Sequence, residues 1–154
     1  MKNILPLVAF ATVCMASCQS STKNNNPADS NLKKAIAIAP ATECFLYAKN
    51  RDTAILTLNT NGNVISGDLS YNLFEKDKNT GTIKGLVKGD TLIADYTFQS
   101  EGMKSIRQVV WLKQSGKLIE GFGDVEETKE KVKFKNISKL KFGGAMEFSK
   151  TDCK

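Results

Sequence analysis

Proline and glycine divide this chain at the point where a folded region is predicted to begin. No proline occurs after Pro40, whereas all eleven glycines lie at or beyond Gly62. Proline cannot donate a hydrogen bond to a β-ladder, and glycine permits the tight turns and bends that join neighbouring strands. The distribution therefore predicts an antiparallel meander of strands, joined by short hairpins, over residues 41–154.

Two hairpins are predicted from their turn residues. Asn61-Gly62 favours a two-residue turn because both residues tolerate positive φ, and Gly89-Asp90 suits a second turn of the same length. Each closure puts apolar side chains on one face of its strand pair, as a half-buried antiparallel pair requires. The predicted pairs on these faces are Leu58–Ile65, Leu56–Gly67, Ala54–Leu69, Val87–Leu92, Gly85–Ala94, Ile83–Tyr96 and Gly81–Phe98.

The strand count points to a barrel. Further strands near 43–49, 63–74, 104–114 and 130–137 bring the total to about eight, the number that closes a small barrel around side chains or one modest ligand. The predicted fold is therefore all-β, an eight-stranded lipocalin-like barrel. A β-sandwich is the alternative, because alternation alone does not show closure. Residues 139–149 are left open between another strand and a closing helix.

The first 17 residues have the layout of a signal peptide. Lys2 is their only charge, and the apolar run from Ile4 to Val13 is shorter than the roughly 20 residues of a membrane span. The small residues at positions 16 and 17 precede Cys18, so cleavage and lipidation are predicted at Cys18. Cys14 is the competing position, but a bulky valine precedes it. Residues 18–40 are polar and are predicted to form a flexible tether.

Two cysteines remain once Cys14 is removed with the signal and Cys18 is lipidated. Cys44 and Cys153 lie near the two ends of the predicted barrel, where the first and last strands are neighbours. An oxidising compartment favours pairing them in a disulfide. The closed loop of about 110 residues makes such a crosslink worth roughly 4 kcal/mol in the chain-entropy model, less any strain.

Short motifs along residues 43–124 resemble those of uncharacterised small lipoproteins of the Bacteroidota. They are Gly67-Asp68-Leu69-Ser70-Tyr71, Glu75-Lys76-Asp77, Gly81-Thr82, Gly89-Asp90 and Ser100-Glu101-Gly102. The resemblance implies a lipoprotein of the outer membrane and carries no known activity or site. Residues 19–23 lack the acidic run that resembles a surface-export signal in this group, so we expect an anchor that faces the periplasm.

The residue inventory argues against an enzyme. The chain contains no histidine, which removes Ser-His and Cys-His dyads and imidazole metal sites, and no cofactor or metal motif is found. A non-catalytic binding or envelope-interaction module is therefore predicted. The alternative is an inhibitor of a cell-wall hydrolase such as lysozyme, based on Ser115-Gly116-Lys117 at a predicted hairpin tip.

The net charge and a cluster of lysines near the C-terminus indicate which partners the protein could bind. Without Lys2 the mature chain carries a net charge of +5, against +6 for the full sequence. Six lysines lie close together near the C-terminus, and we call them the late lysines. They could form a solvated strand face, or they could contact anionic head groups or glycans. They are Lys129, Lys131, Lys133, Lys135, Lys139 and Lys141. The predicted partners are the membrane, through the lipid, and a small ligand or envelope component. Nucleic acid is not expected outside the cytoplasm.

The hairpin registers also place polar or amphipathic residues beside apolar ones. A third turn at Ser115-Gly116 pairs Trp111 with Glu120 and Arg107 with Asp124. Two accounts remain open: Arg107 and Asp124 form a structural ion pair in a filled barrel, or these groups line a ligand cavity for which the glycines at 81 and 85 leave space. The predicted interior residues are Tyr71, Tyr96, Arg107, Trp111, Glu120 and Asp124.

Overall fold

The computed structural model describes residues 40–76, 78–100 and 102–153. The predictions for the signal peptide, Cys18 and the tether lie outside these residues, apart from Pro40. The described residues form ten strands, one 3-10 turn (Ile137–Lys139) and no α-helix. The strands are β1 (Ala41–Lys49), β2 (Asp52–Asn61), β3 (Val64–Asn72), β4 (Asn79–Lys88), β5 (Thr91–Ser100), β6 (Met103–Gln114), β7 (Lys117–Phe122), β8 (Val125–Glu127), β9 (Val132–Phe134) and β10 (Lys141–Thr151).

Eight of these strands close a barrel. Strands β1 to β7 pair in chain order as an antiparallel meander, and β10 lies between β7 and β1. The all-β, eight-stranded barrel is thereby confirmed. The prediction that residues 130–137 form a barrel strand is wrong, because only three of them are in strand β9, outside the closed ring. Residues 141–151 form the eighth barrel strand instead.

The segment between β7 and β10 lies against the outside of the barrel. β9 runs parallel to β6, with Val132 opposite Arg107, and pairs with β8 on its other edge. The Lys131 ammonium donates to both carboxylate oxygens of Asp95 at 2.7 and 2.6 Å. The backbone N–H of Phe134 donates to the Gln108 side chain at 3.2 Å. β9 thus replaces β7 as the neighbour of the first half of β6.

The hairpin registers agree with the sequence to different degrees. At Gly89-Asp90 the predicted pairs, including Ile83 opposite Tyr96, are confirmed. At the first hairpin the strands close around Gly62 and Asn63, so the predicted register is wrong by two residues. Gly62 takes the positive φ of +59° at the first central position of the turn, as glycine permits without steric cost. A shift of two residues keeps every side chain on its predicted face.

The barrel is packed with large side chains, and the two cysteines connect its first strand to the segment after its last strand. Cys44 in β1 and Cys153 after β10 lie at disulfide distance, with Cα atoms 5.2 Å apart. The interior holds one continuous core, since alternate residues of every barrel strand point inward. Its largest fully buried side chains are Trp111, Tyr96, Phe45, Phe148, Leu56, Ile65, Leu69, Ile83 and Leu118.

Candidate ligand site inside the barrel

Five of the six predicted interior residues lie on the inner face of the barrel wall, on strands β3, β5, β6 and β7. Neighbouring strands supply them in facing pairs, with Tyr96 opposite Arg107 and Trp111 opposite Glu120. The fifth, Tyr71 on β3, meets the Tyr96 ring edge-on, with ring centroids 5.8 Å apart. All are buried except Arg107, which is half-buried. Alternation along β3, β5, β6 and β7 turns them to the same side as the apolar core.

The predicted pairing of Arg107 with Asp124 is wrong. The ladder between β6 and β7 ends at Trp111 and Glu120, because Phe122 pairs with Lys141 of β10 instead. The chain beyond Phe122 leaves the barrel wall, and Asp124 is exposed on the surface. The structural ion pair proposed as one account of Arg107 therefore does not form.

Aromatic rings surround the guanidinium of Arg107. Its central carbon lies 5.0, 5.4 and 5.5 Å from the ring centroids of Tyr71, Tyr96 and Phe98. The rings of Tyr96 and Phe98 stack on each other with centroids 4.8 Å apart. Cation–π attraction stabilises the charge, but no carboxylate of the described residues forms an ion pair with it. Half-buried Arg107 thus has no salt-bridge partner among the described residues.

Glu120 is the buried carboxyl of this cluster. Only 7% of the residue is exposed, and Oε1 accepts a hydrogen bond from the Tyr71 hydroxyl at 3.0 Å. Burial raises the pKa of Glu120 to about 7, against the opposing effects of the Tyr71 hydrogen bond and the Arg107 charge. Burial likewise raises the pKa of Tyr71 well above its usual value and that of Tyr96 to about 12. Both phenols are therefore protonated near neutral pH.

Four buried side-chain atoms of the cluster have no hydrogen-bond partner among the described residues. They are the Tyr96 hydroxyl, Arg107 Nε, Trp111 Nε1 and Glu120 Oε2. A buried polar group without a partner costs roughly 1–3 kcal/mol, so such groups are almost always satisfied by protein, water or ligand. All four atoms belong to residues on the inner faces of the neighbouring strands β5, β6 and β7, so this part of the barrel wall holds buried polar groups with unmet hydrogen-bonding capacity.

The glycines at 81 and 85 do not serve the purpose predicted for them. A Cβ at Gly81 would collide with the Thr97 carbonyl oxygen, and one at Gly85 with the Ile93 carbonyl oxygen and, at 2.8 Å, with the Cβ of Ala94. These glycines let β4 and β5 approach closely as the barrel wall bends. The prediction that they leave interior space for a ligand is wrong.

The sequence analysis missed one interior residue and one exposed ion cluster. Phe98 belongs to the aromatic surround of Arg107, and its predicted place opposite Gly81, on the face of Tyr96, was the signal that could have found it. At the other end of the barrel Glu43 accepts from Lys150 at 2.9 Å and from Lys113 at 3.3 Å. The Lys150 hydrogen bond is the largest effect lowering the pKa of Glu43. This ion cluster borders a cavity of about 180 Å³.

Five of the six late lysines fall into two groups. Lys131 pairs with Asp95, and Lys133 lies 3.0 Å from a carboxylate oxygen of Glu126. A surface groove of about 600 Å³ is lined by the side chains of Lys135, Lys139 and Lys141, together with Asp124. These three lysines therefore share one groove on the outside of the barrel, whereas contact with anionic groups stays a prediction.

The β6–β7 hairpin tip, on which the hydrolase-inhibitor alternative is based, is exposed. Ser115 and Gly116 have positive φ values of 50° and 76°, so both belong to a tight turn. The ammonium of Lys117 donates to Glu147 at 3.1 Å. The tip thus presents a short turn whose cation already contacts a carboxylate of its own chain.

Comparison with protein-family models, curated proteins and solved structures gave no significant match. Across the residues that the structure covers, no group of three or more Cys, Asp or Glu side chains is placed to hold a metal ion. The same residues include no helix with the length and apolar character needed to cross a membrane.

Proposed function

We propose that this chain is a non-catalytic binding protein of the bacterial cell envelope, in which the barrel interior takes up a small polar ligand. A lipid on Cys18 would anchor it to the outer membrane, with the barrel on the periplasmic side. The observation that carries the binding role is the set of four unpartnered polar atoms in the interior cluster. A ligand that pairs with them removes a desolvation cost that the free protein bears.

Binding accounts for the cluster better than catalysis does. Covalent hydrolytic templates need a nucleophile activated by a neighbouring base, and none of the 154 residues is a histidine. The groups present are donors and acceptors held in place by packing, since Tyr96 is stacked on Phe98 and Trp111 contacts Phe148 edge-on with centroids 6.4 Å apart. Rigid polar groups in an apolar surround orient a ligand and give specificity.

Buried water is the competing occupant. One water makes about three hydrogen bonds, so one or two waters could satisfy the same four atoms without any ligand. The two occupants differ in mass and in retention during purification. Native mass spectrometry of the mature protein, isolated without denaturation from the envelope of the organism that makes it, separates them.

We expect the native mass to exceed the denatured mass by that of one small organic molecule. Arg107→Met keeps an unbranched apolar stem but removes the guanidinium, so this variant should lose the added mass. Lys135→Met removes a cation from the outer groove and is the matched control that should keep it. Equal native and denatured masses for the parent protein would mean that the interior holds only water.

A further inference from the structure

The unpartnered atoms of the interior cluster are mostly hydrogen-bond donors. Arg107 Nε and Trp111 Nε1 can only donate, and the Tyr96 hydroxyl can donate to an oxygen of a bound molecule. A molecule that satisfies all three must present at least two acceptor oxygens. A carboxylate offers about four lone-pair sites on two oxygens and meets this requirement with a single group.

Charge distinguishes a carboxylate from a neutral acceptor. Arg107 is a half-buried residue whose Nε is fully buried, and its guanidinium has no ion-pair partner among the described residues, although rings cover part of it. Desolvating a cation is costly unless an anion or strong dipoles compensate. A ligand anion supplies that compensation, and arginine matches carboxylate geometry with two parallel hydrogen bonds.

Glu120 limits how much negative charge the cluster accepts. The groups that act on it are Tyr71 of β3 and Arg107 of β6, and Trp111 of β6 lies opposite it, so Arg107 is the only cation among them. The lysines that contact Glu43 lie at the opposite end of the barrel. One cation balances one carboxylate, so a ligand carboxylate and an ionised Glu120 do not fit together.

We propose that the interior ligand is a small organic carboxylate bound to Arg107, with Tyr96 and Trp111 donating to it, and that its uptake transfers one proton from solvent to Glu120. This inference rests on the proposed binding function and specifies its ligand class. The protonated Glu120 is neutral and offers its own O–H as a fourth donor to the bound carboxylate.

The raised pKa of Glu120 allows its carboxyl to gain or lose a proton near neutral pH. Burial holds its pKa at about 7, so the carboxyl takes up a proton readily at mildly acidic pH. Above that pH the ionised Glu120 competes with the ligand for Arg107. Affinity for a carboxylate should therefore rise as pH falls toward 7, and should drop about tenfold per pH unit above it while one proton is coupled to binding.

Trp111 provides the readout, because it is the only tryptophan of the chain and its N–H belongs to the site. We would titrate the full-length protein with acetate, benzoate and decanoate and with the matching primary amides, following Trp111 fluorescence. Each carboxylate differs from its amide mainly by charge. At least one carboxylate should change the emission with an affinity at least tenfold higher than its amide, and that affinity should weaken with rising pH.

Two variants separate the roles of charge and proton. Glu120→Gln is neutral and similar in shape, so it should bind the carboxylate with little pH dependence and more tightly than the parent protein above pH 7. Arg107→Met should lose carboxylate binding, whereas Lys135→Met should behave as the parent does. Unchanged thermal melting at mildly acidic pH would show that Glu120→Gln and Lys135→Met are folded.

The inference and the proposed function fail in different ways. Equal affinity for carboxylates and amides, or an unchanged pH dependence in Glu120→Gln, would overturn the carboxylate and proton assignment. A neutral or cationic molecule found on the native protein would also overturn it while leaving the binding function in place. If no probe alters Trp111 emission and native mass spectrometry finds no added mass, both fall.

Discussion

Replacing Glu120 with glutamine should remove a specific pH dependence from the stability of the barrel. In the folded protein burial raises the pKa of Glu120 from 4.5 to about 7. The folded state therefore retains a proton that the unfolded chain releases, and stability falls as pH rises from about 4.5 to 7. At about 1.4 kcal/mol per unit, the full shift corresponds to about 3 kcal/mol.

Urea unfolding at about pH 4.5 and pH 8 measures this effect, with the disulfide left intact. Between the two conditions the parent protein should lose about 3 kcal/mol more of its free energy of unfolding than Glu120→Gln does. Glutamine keeps an oxygen that accepts from Tyr71, so the hydrogen bond survives the substitution. Glu127→Gln alters an exposed carboxylate and should retain the parent's pH dependence.

All other titrating groups are shared, so their contributions cancel in the comparison between parent and variant. The reasoning is refuted if Glu120→Gln and the parent lose the same free energy between the two pH values. That result would mean that Glu120 titrates alike in the folded and unfolded states, which contradicts the effect of its burial on the pKa.

Three further outcomes are expected. Intact mass should show acyl groups on the mature protein, and Cys18→Ser should abolish them and release the protein from the membrane. Thiol titration of the unfolded, unreduced protein should find neither Cys44 nor Cys153 free, and replacing both with alanine should cost up to about 4 kcal/mol of stability. Gly85→Ala should destabilise the barrel by about 1–3 kcal/mol, measured by urea unfolding, because the added Cβ collides with β5. A stable Gly85→Ala variant would contradict the close approach of β4 and β5.

The barrel could be predicted because its signals are local. Alternating apolar residues, hairpin glycines and the lack of proline act strand by strand, and together they specify a meander long enough to close. At Gly89-Asp90 the turn residues are compatible with one closure of the hairpin. Every predicted pair between β4 and β5 was therefore correct. At Gly62 two adjacent closures are compatible with the same turn residues, which is why the predicted register was wrong by two without changing the faces.

The point at which β6 and β7 stop pairing could not be predicted from the local sequence pattern. Nothing in the alternation of β7 indicates that it leaves β6 after Glu120, because that depends on β10 competing for Phe122 and on β9 taking the vacated edge of β6. These are contacts between distant segments. Arg107 lies on the inner face of β6, but its predicted partner was assigned by extending a ladder that ends four residues earlier, at Trp111 and Glu120.

A high-resolution crystal structure of the protein isolated from its native envelope tests the central claim most directly. Binding in the barrel interior predicts electron density larger than water within hydrogen-bond distance of Arg107 Nε, Trp111 Nε1 and Glu120 Oε2. Density for single waters alone, or a direct bond between Arg107 and Glu120 that leaves no room for another molecule, would contradict it.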